Sequence, residues 1–477
     1  MKRSVVVLVS AVSAVALLIF GCRVVAPDGA NEQRIQTASA RPNIVFIMTD
    51  DMPKGLWKSM PTLKGRVSAE GARFTDAYVT QSLCCPSRAT ILTGEYPHNH
   101  GITGNLAPNG GEAEFRNTGQ DQDTIATRMQ AEGYRTALIG KYMNGYEGEY
   151  VPPGWSYWYT EAGRNRVNDN GRTTASPPEA YPVTIASRAR AFLDGATDEA
   201  GDPPFMLFYW TTQPHLPAKA PPGYRNGFQS AELPRPPSFD ETDVSDKPAY
   251  IKSLPGLTGE KVDRLQTKHL IQLRTMSHVD DTLKGMLDLL ENRGELANTY
   301  VVFATDNGVH MGQHRYIIPR GSKSTPYEEA ASTPLMIRGP GVPHGVVRTQ
   351  LVANNDLAPT FAAWADLPPP ENTDGRSITP LLSERPPSTW RTALLNESRL
   401  VKPEDQTSPN YEALFTASGE RYVEYATDEK ELYDLKNDPY ELTNSYDAAA
   451  PHTSLASRLR ALEKCAGETC RKAENGQ

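Results

Sequence analysis

Asn43-Ile44-Val45-Phe46-Ile47-Met48-Thr49-Asp50-Asp51 is the stretch from which the fold can be read. Ile44 to Met48 run without a polar break, and the chain then turns abruptly to hydroxyl and carboxylate side chains. A strand with one wet face would alternate apolar and polar residues. An unbroken run fits a strand buried on both faces, as in a parallel sheet covered by helices. The same form returns at Thr299–Ala304 before Thr305-Asp306-Asn307-Gly308, and at Arg135–Ile139 before Gly140-Lys141. It returns again at Pro204–Trp210 before Thr211-Thr212-Gln213-Pro214-His215, and Ala72–Val79 reads as a further strand. Helical patterns lie between them: Pro61–Glu70 stopped by Gly71, a segment from the caps Asp123 or Thr124 to Glu132, Pro182–Leu193, and Thr258–Asn292. Strands alternating with helices predict an α/β fold, a large doubly wound, mostly parallel sheet flanked by helices.

Two stretches lack regular pattern. Tyr146–Pro178 is rich in Gly, Pro and Trp, and Gln213–Pro255 is rich in Pro; both read as long loops over a site. A Pro-rich break at Leu367–Pro387 precedes short strand patterns such as Glu420–Ala426 and a helix over Thr453–Glu463. These predict a main body over residues 41–385 and a C-terminal subdomain over 386–477, with a small antiparallel sheet and a helix. At the other end, Lys2-Arg3 followed by the apolar run Val5–Phe20 and Gly21-Cys22 reads as a signal peptide over 1–21. The run resembles a lipoprotein signal, which would place a lipid on Cys22, anchor the exported chain to a membrane at the cell surface or in the periplasm, and leave 22–40 as a tether. An ordinary signal or an uncleaved anchor are the alternatives. Cys465 and Cys470 follow the last predicted helix and could pair in an oxidising compartment. A net charge of −8 over 477 residues argues against nucleic acid as a partner, while a local cluster of Lys and Arg would still capture an anionic substrate.

Ligands of open α/β sheets bind beyond the carboxyl ends of the strands. Asp50, Asp51, Asp306 and Asn307 fall there, an oxygen-only set that favours Ca²⁺ or Mg²⁺ over zinc. Lys141 and His215 fall at the same edge. Cys84-Cys85-Pro86-Ser87-Arg88 follows a strand and opens a helical pattern running to Leu92, before Thr93-Gly94. Cys84 is therefore expected at a helix N-terminus with Arg88 one turn on, a setting that lowers a thiol pKa and makes it reactive.

These residues match a family. Cys84-Cys85-Pro86-Ser87-Arg88-Ala89-Thr90-Ile91-Leu92-Thr93-Gly94 resembles the sulfatase signature, and the likeness runs from Arg41 to about Asn444. It takes in Arg41-Pro42-Asn43-Ile44 through Asp51, Gly140-Lys141-Tyr142, Asp306-Asn307-Gly308 and Glu431-Leu432-Tyr433-Asp434-Leu435 with Asp438-Pro439. Gly140-Lys141-Tyr142-Met143-Asn144 with Val151-Pro152-Pro153-Gly154-Trp155 looks most like the branch acting on 6-sulfated N-acetylglucosamine. The resemblance implies that a formylglycine-generating enzyme oxidises Cys84, not Cys85, and that the hydrated aldehyde, held by Ca²⁺, attacks the sulfur of a sulfated carbohydrate or aryl sulfate. It implies further that Cys84 joins Asp50, Asp51, Asp306 and Asn307 around the metal. Arg88, Lys141 and Lys323 would neutralise the sulfate oxygens, and His215 and Lys323 would assist the leaving oxygen.

One position departs from the pattern. Many members carry a histidine two residues after the motif lysine to deprotonate the hydrated aldehyde; here Met143 stands there, as it does in the branch just named. His98, His100, His310 and His314 are the candidates by local position, each read first as a contact to substrate or to the inner residues. Two other readings stay open: a phosphate or phosphonate ester hydrolase on the same scaffold, and a lipid-tethered glycan-binding protein with a dead site.

Overall fold

The computed structural model describes residues 41–148, 150–195, 203–317, 322–400, 408–450 and 452–477. The signal peptide, Cys22 and the tether lie outside the described residues. Among the described residues no helix is long and apolar enough to cross a membrane. Residues 40–477 form one compact unit.

In chain order the strands are β1 (Asn43–Thr49), β2 (Ala72–Phe74), β3 (Ala77–Tyr78), β4 (Arg135–Gly140), β5 (Tyr157–Glu161), β6 (Arg166–Asp169), β7 (Arg172–Ala175) and β8 (Phe205–Trp210). There follow β9 (Thr299–Thr305), β10 (Leu335–Arg338), β11 (Val346–Arg348), β12 (Val352–Ala353), β13 (Ala393–Ser398), β14 (Tyr411–Thr416), β15 (Glu420–Tyr425) and β16 (Lys430–Asp434). Ten of them make one sheet in the order β11-β2-β10-β9-β1-β8-β4-β5-β6-β7. Its centre is parallel: β1 pairs with β8 and β9, and β4 pairs with β8 and β5. Antiparallel pairings come in at β10 and at β6 and β7, towards the two sides.

The apolar run of β1 is explained by its two covered faces. Ile44, Phe46 and Met48 pack into one core with the helices Cys84–Thr93, Ile125–Ala131 and Leu357–Trp364. Val45 and Ile47 pack into the other, under Tyr181–Asp194 and the long helix Gly259–Asn292. Each fully buried side chain of this size contributes about 1.5–3 kcal/mol, so no polar residue is tolerated until the strand leaves the core at Thr49. Of the two candidate caps it is Thr124 that caps its helix, and Thr258 proves to be the cap of the long helix, each accepting a hydrogen bond from the backbone N–H three residues on.

Two expectations change. Ala72–Val79 is not one strand: β2 lies in the large sheet and β3 pairs with β12 in a separate two-stranded sheet, so the chain must bend between them. Tyr146–Pro178 is not simply a loop, because it carries β5, β6 and β7, which extend the sheet by three short strands. Gln213–Pro255 does stay largely irregular, with a 3-10 turn at Pro222–Tyr224 and one turn of α-helix at Ala249–Lys252. Beyond the Pro-rich break, β13 to β16 form a four-stranded antiparallel sheet, with the helix Thr453–Leu462 packed on it. Cys465 and Cys470 are joined in a disulfide.

Candidate active site

Register brings the strand ends to one edge. Thr49 pairs with Thr305, Met48 with Trp210, and Gly140 with Trp210. The pairing continues past the strands: Asp306 N–H donates to Thr49 O, Asp50 N–H to Gln213 O, and Lys141 N–H to Trp210 O, at 3.1, 3.0 and 2.7 Å. Asp50, Asp306 and Lys141 are thus held by the sheet itself. Gly140 is required for this closeness. Its φ is +128°, and a Cβ there would stand 1.9 Å from Trp210 O. Asp51 also takes a left-handed φ of 54°, a strain that aspartate tolerates and that recurs at functional sites.

The helix Cys84–Thr93 begins at this edge, with Cys84 as its first residue. Ser87 Oγ donates to Asp306 O and Asn354 Nδ2 donates to Ser87 Oγ, which fixes the first turn against β9. Arg88 is buried and donates through Nε and Nη2 to Asp306 Oδ2, at 3.1 and 2.8 Å, and through Nη1 to Lys141 O at 2.7 Å. Its guanidinium lies over the Trp210 ring. Around Cys84 Sγ stand Lys323 Nζ at 3.0 Å, Lys141 Nζ at 3.5 Å, Asp50 Oδ1 at 3.6 Å and Asp51 Oδ1 at 3.9 Å. Lys141 donates to Asp50 Oδ2 at 2.6 Å and Lys323 to Asp51 Oδ1. His215 Nε2 is 3.5 Å from Asp51 Oδ2, and its side chain is 40% exposed. All nine residues singled out in the sequence are therefore within one cluster, with Asn307 donating to Asp51 Oδ1 at 2.7 Å.

The expected lowering of the Cys84 pKa does not hold. Burial pushes this thiol well above its ordinary value, and Asp50 and Asp306 add to that against Lys141 and Lys323. A helix N-terminus lowers a thiol pKa only where the charge stays partly solvated. Burial likewise pushes Cys85 up, to about 11; its Sγ accepts from Asn144 N–H and stays out of the cluster. Burial disfavours the charged forms of Asp50 and Asp51 too, but Lys141, His215 and Arg88 around the first, and Lys323 and His215 around the second, hold both below the usual carboxylate range.

The donor set fits a hard cation. Asp50 gathers with Asp306 and Cys84 in one group and with Asp51 and His215 in another, and beside them Asn307 spends its Nδ2 on Asp51 and Gly308 O while its buried Oδ1 has no hydrogen-bond partner. A divalent ion accepting that oxygen would satisfy it.

The histidines separate. Met143 lies in the core beneath the motif helix, so its position faces apolar side chains and not Cys84. His98 bonds Glu397 and Cys465 O, towards the C-terminal sheet. His100 bonds Thr90 and is pushed down to about 3 by burial. His314 bonds Glu241, and His310 bonds Thr325 at the wall of a cleft. Among the described residues no histidine reaches Cys84 Sγ; the groups that do are Lys141, Lys323, Asp50 and Asp51. Trp210 beneath Arg88 and Asn354 behind Ser87 were not foreseen. In the sequence Trp210 is one more apolar residue of a strand, and Asn354 lies 267 residues from Ser87.

The cluster opens to solvent through two clefts that meet at His215 and Pro217. One, of about 340 Å³, is reached past Asp50, Lys141, Asn144 and Glu161; the other, of about 670 Å³, past Asp51 and His310. Cations held around a single reactive position, carboxylates able to seat a metal, and a cleft above them suit hydrolysis of an anionic ester. The Sulfatase family profile matches residues 42–367, and that of the N-sulphoglucosamine sulphohydrolase C-terminal region matches 312–465. The chain is 31% identical to N-acetylglucosamine-6-sulfatase of Homo sapiens over 92% of this chain and 87% of that one. It belongs to the sulfatase family and is a hydrolase of sulfate esters. Among solved structures, a protein in complex with its substrate D-glucosamine-2-N,6-O-disulfate superposes with a TM-score of 0.76 at 24% identity, covering 92% of this chain and 99% of that one. A phosphonate monoester hydrolase of Agrobacterium radiobacter gives 0.68 at 22% identity, covering 89% and 96%.

Proposed function

We propose that the protein removes sulfate from 6-sulfated N-acetylglucosamine units, with Cys84, converted to formylglycine by a formylglycine-generating enzyme, supplying the nucleophile and with Ca²⁺ at Asp50, Asp51, Asp306 and Asn307. The observation that carries this reading is the position of Cys84 Sγ, 3.0 Å from Lys323 Nζ and 3.5 Å from Lys141 Nζ, beside Asp50 and Asp51, which line the two clefts. The formylglycine and metal together supply an activated oxygen nucleophile and a positive field for the ester oxygens. The chain's own residues do the rest. Arg88 is locked by Asp306 and so keeps its charge against Asp50 and the adjoining ester oxygens. Lys141 and Lys323 are held in their charged forms: burial opposes this, but Asp50 beside the first and Asp51 beside the second outweigh it. Both therefore act as fixed cations and hydrogen-bond donors. His215, the more exposed group, sits where a proton can pass to a departing sugar oxygen. Similarity to the human N-acetylglucosamine-6-sulfatase supports the choice of sugar. Export, with a lipid on Cys22, completes the reading, in keeping with the Cys465–Cys470 disulfide.

The test is mass spectrometry of the peptide carrying Cys84 from protein made in a host with the maturation enzyme, alongside kinetics on matched aryl sulfate, aryl phosphate and aryl phosphonate esters. An aldehyde at position 84 and a preference for sulfate are expected. A fully active protein with an unmodified thiol overturns the nucleophile, and preference for the phosphorus esters overturns the substrate. Chelation should remove activity, and Ca²⁺ should restore it.

A further inference from the structure

The larger cleft is asymmetric in charge. Besides Asp51 and His215 it is lined by Lys261, Arg264 and Lys268, all from the first turns of the long helix Gly259–Asn292. Their spacing of three and four residues, with Leu265 between, puts them on one face. From Lys261 to Lys268 the helix rises about 10 Å. Asp51 is the single carboxylate among the described residues lining this cleft, and it is already held by Lys323. Lys261 and Lys268 form no ion pair among the described residues, and Arg264 has only an exposed contact with Glu260 at 3.6 Å, which holds it weakly. Below the cations the wall is apolar, from Leu216, Pro217, Leu265, Met311 and Ile317. The smaller cleft differs: of its cations Lys141 is held by Asp50 and Lys219 pairs with Glu179, at 2.6 and 2.7 Å, Arg166 has only an exposed contact with Glu147 at 3.9 Å, and Glu161 adds a carboxylate to the lining. Three cations facing one continuous space, with no acid free to pair with them among the described residues that line it, leave a local positive field that draws an anion.

We infer that Lys261, Arg264 and Lys268 form a second anion subsite, which takes a sulfate or carboxylate on the sugar next to the one being desulfated. This rests on the glycan reading of the site. A sugar whose sulfate reaches Cys84 from the smaller cleft passes its neighbour across His215 and Pro217 into the larger one, since both residues line both clefts. The substrate is then a chain with anionic groups on adjoining units, and the isolated monosaccharide uses only half of the binding surface.

The experiment compares the mature wild-type enzyme with K261Q/K268Q on four substrates: 6-sulfated N-acetylglucosamine, and its disaccharides with a neutral hexose, a uronic acid and a sulfated hexose. In the double variant kcat/KM should fall about tenfold on the two charged disaccharides, mainly through KM. It should stay within about twofold on the other two substrates, because their bound forms present no anion to the subsite. The slope of log kcat/KM against log salt concentration should flatten for the charged disaccharides alone. A loss confined to one of these disaccharides assigns the subsite to sulfate or to carboxylate. Equal losses on neutral and charged substrates, or no loss on any, overturn the inference. A wild-type enzyme inert on all four but active on an aryl sulfate overturns the glycan reading, and this inference with it.

Discussion

Arg88 and Arg421 are both buried, each lies over an aromatic ring, and each joins two carboxylates, yet they do opposite work. Arg421 reaches Glu328 and Glu441 at 2.7 Å each and covers Phe415. Each of its carboxylates has a second donor, Lys54 for Glu328 and the Glu328 N–H for Glu441. That set ties the loop after Lys323 and the large sheet to β15, and its purpose is cohesion. Arg88 joins Asp306 and Asp50, but the set around it also holds Lys141 and Lys323 against Cys84, leaves Asn307 Oδ1 without a partner and opens on two clefts. Buried charge alone therefore does not mark an active site. Nor does an unpartnered atom mark one, since Arg421 Nε has no hydrogen-bond partner either; what marks it is a cluster of both signs around one position, at the carboxyl ends of parallel strands and open to clefts.

The sharpest way to break this comparison is at its two centres. Cys84→Ala should lower kcat/KM on an aryl sulfate by on the order of 10⁴-fold or more, equivalent to about 5 kcal/mol of barrier. Unfolding stability should move by about 1 kcal/mol or less, because only one buried atom is lost. Retained activity in this variant would remove the nucleophile from position 84. Arg421→Met should do the reverse. It leaves Glu328 and Glu441 buried without their shared cation, so urea unfolding should show a loss of about 3–5 kcal/mol, while kcat of the folded fraction stays within about threefold. A catalytic defect larger than the stability defect would show that the second cluster serves the first.

How far the sequence could carry the distinction depends on chain distance. The runs of β1, β4, β8 and β9 were legible because both faces of each strand are covered, so the apolar pattern is continuous and its end is abrupt. Asp50, Asp51, Lys141, Asp306 and Asn307 follow those ends directly, which is why the site could be drawn from strand order alone. β5 to β7 were hidden: they are four or five residues long, partly exposed, and set among glycines and prolines. The Cys84 pKa was misjudged for a different reason, since helix position is written in the sequence while depth of burial is not. The Arg421 cluster gathers residues 54, 328, 421 and 441, each of which alone looks like an ordinary surface charge.

A gentler probe of the same contrast is pH. Burial favours the neutral form of Glu328, but Lys54 and Arg421 outweigh it and hold its pKa at about 2, against 4.5 for a free side chain. A depressed folded pKa gives stability that is present above about 4.5 and lost as pH falls towards 2. Glu328 should account for on the order of 3 kcal/mol of acid destabilisation in that window. Glu328→Gln should be less stable near pH 6 and show a shallower slope of unfolding free energy between pH 4.5 and 2. An unchanged slope would mean that the Arg421 cluster is not carried by its ion pairs.

The smallest effect is expected at the disulfide, and it tests how far cohesion reaches. Cys465 and Cys470 are five residues apart, and the short loop they close is tied to the turn after the motif helix. Cys465 O accepts from His98 Nε2 and Asn99 Nδ2 at 3.0 Å each, and Gly467 N–H donates to Asp374, which also accepts from Tyr96 N–H. Cys465→Ser with Cys470→Ser should cost about 2 kcal/mol, the loop-closure entropy of so short a ring. It should leave kcat within about twofold, because Asp374 still holds the turn and Ser87 still fixes the first turn of the motif helix to β9. A fall in kcat at unchanged KM would instead mean that the C-terminal clamp sets the position of Cys84. The C-terminal clamp and the reaction centre would then be parts of one device, joined through the helix that starts at Cys84.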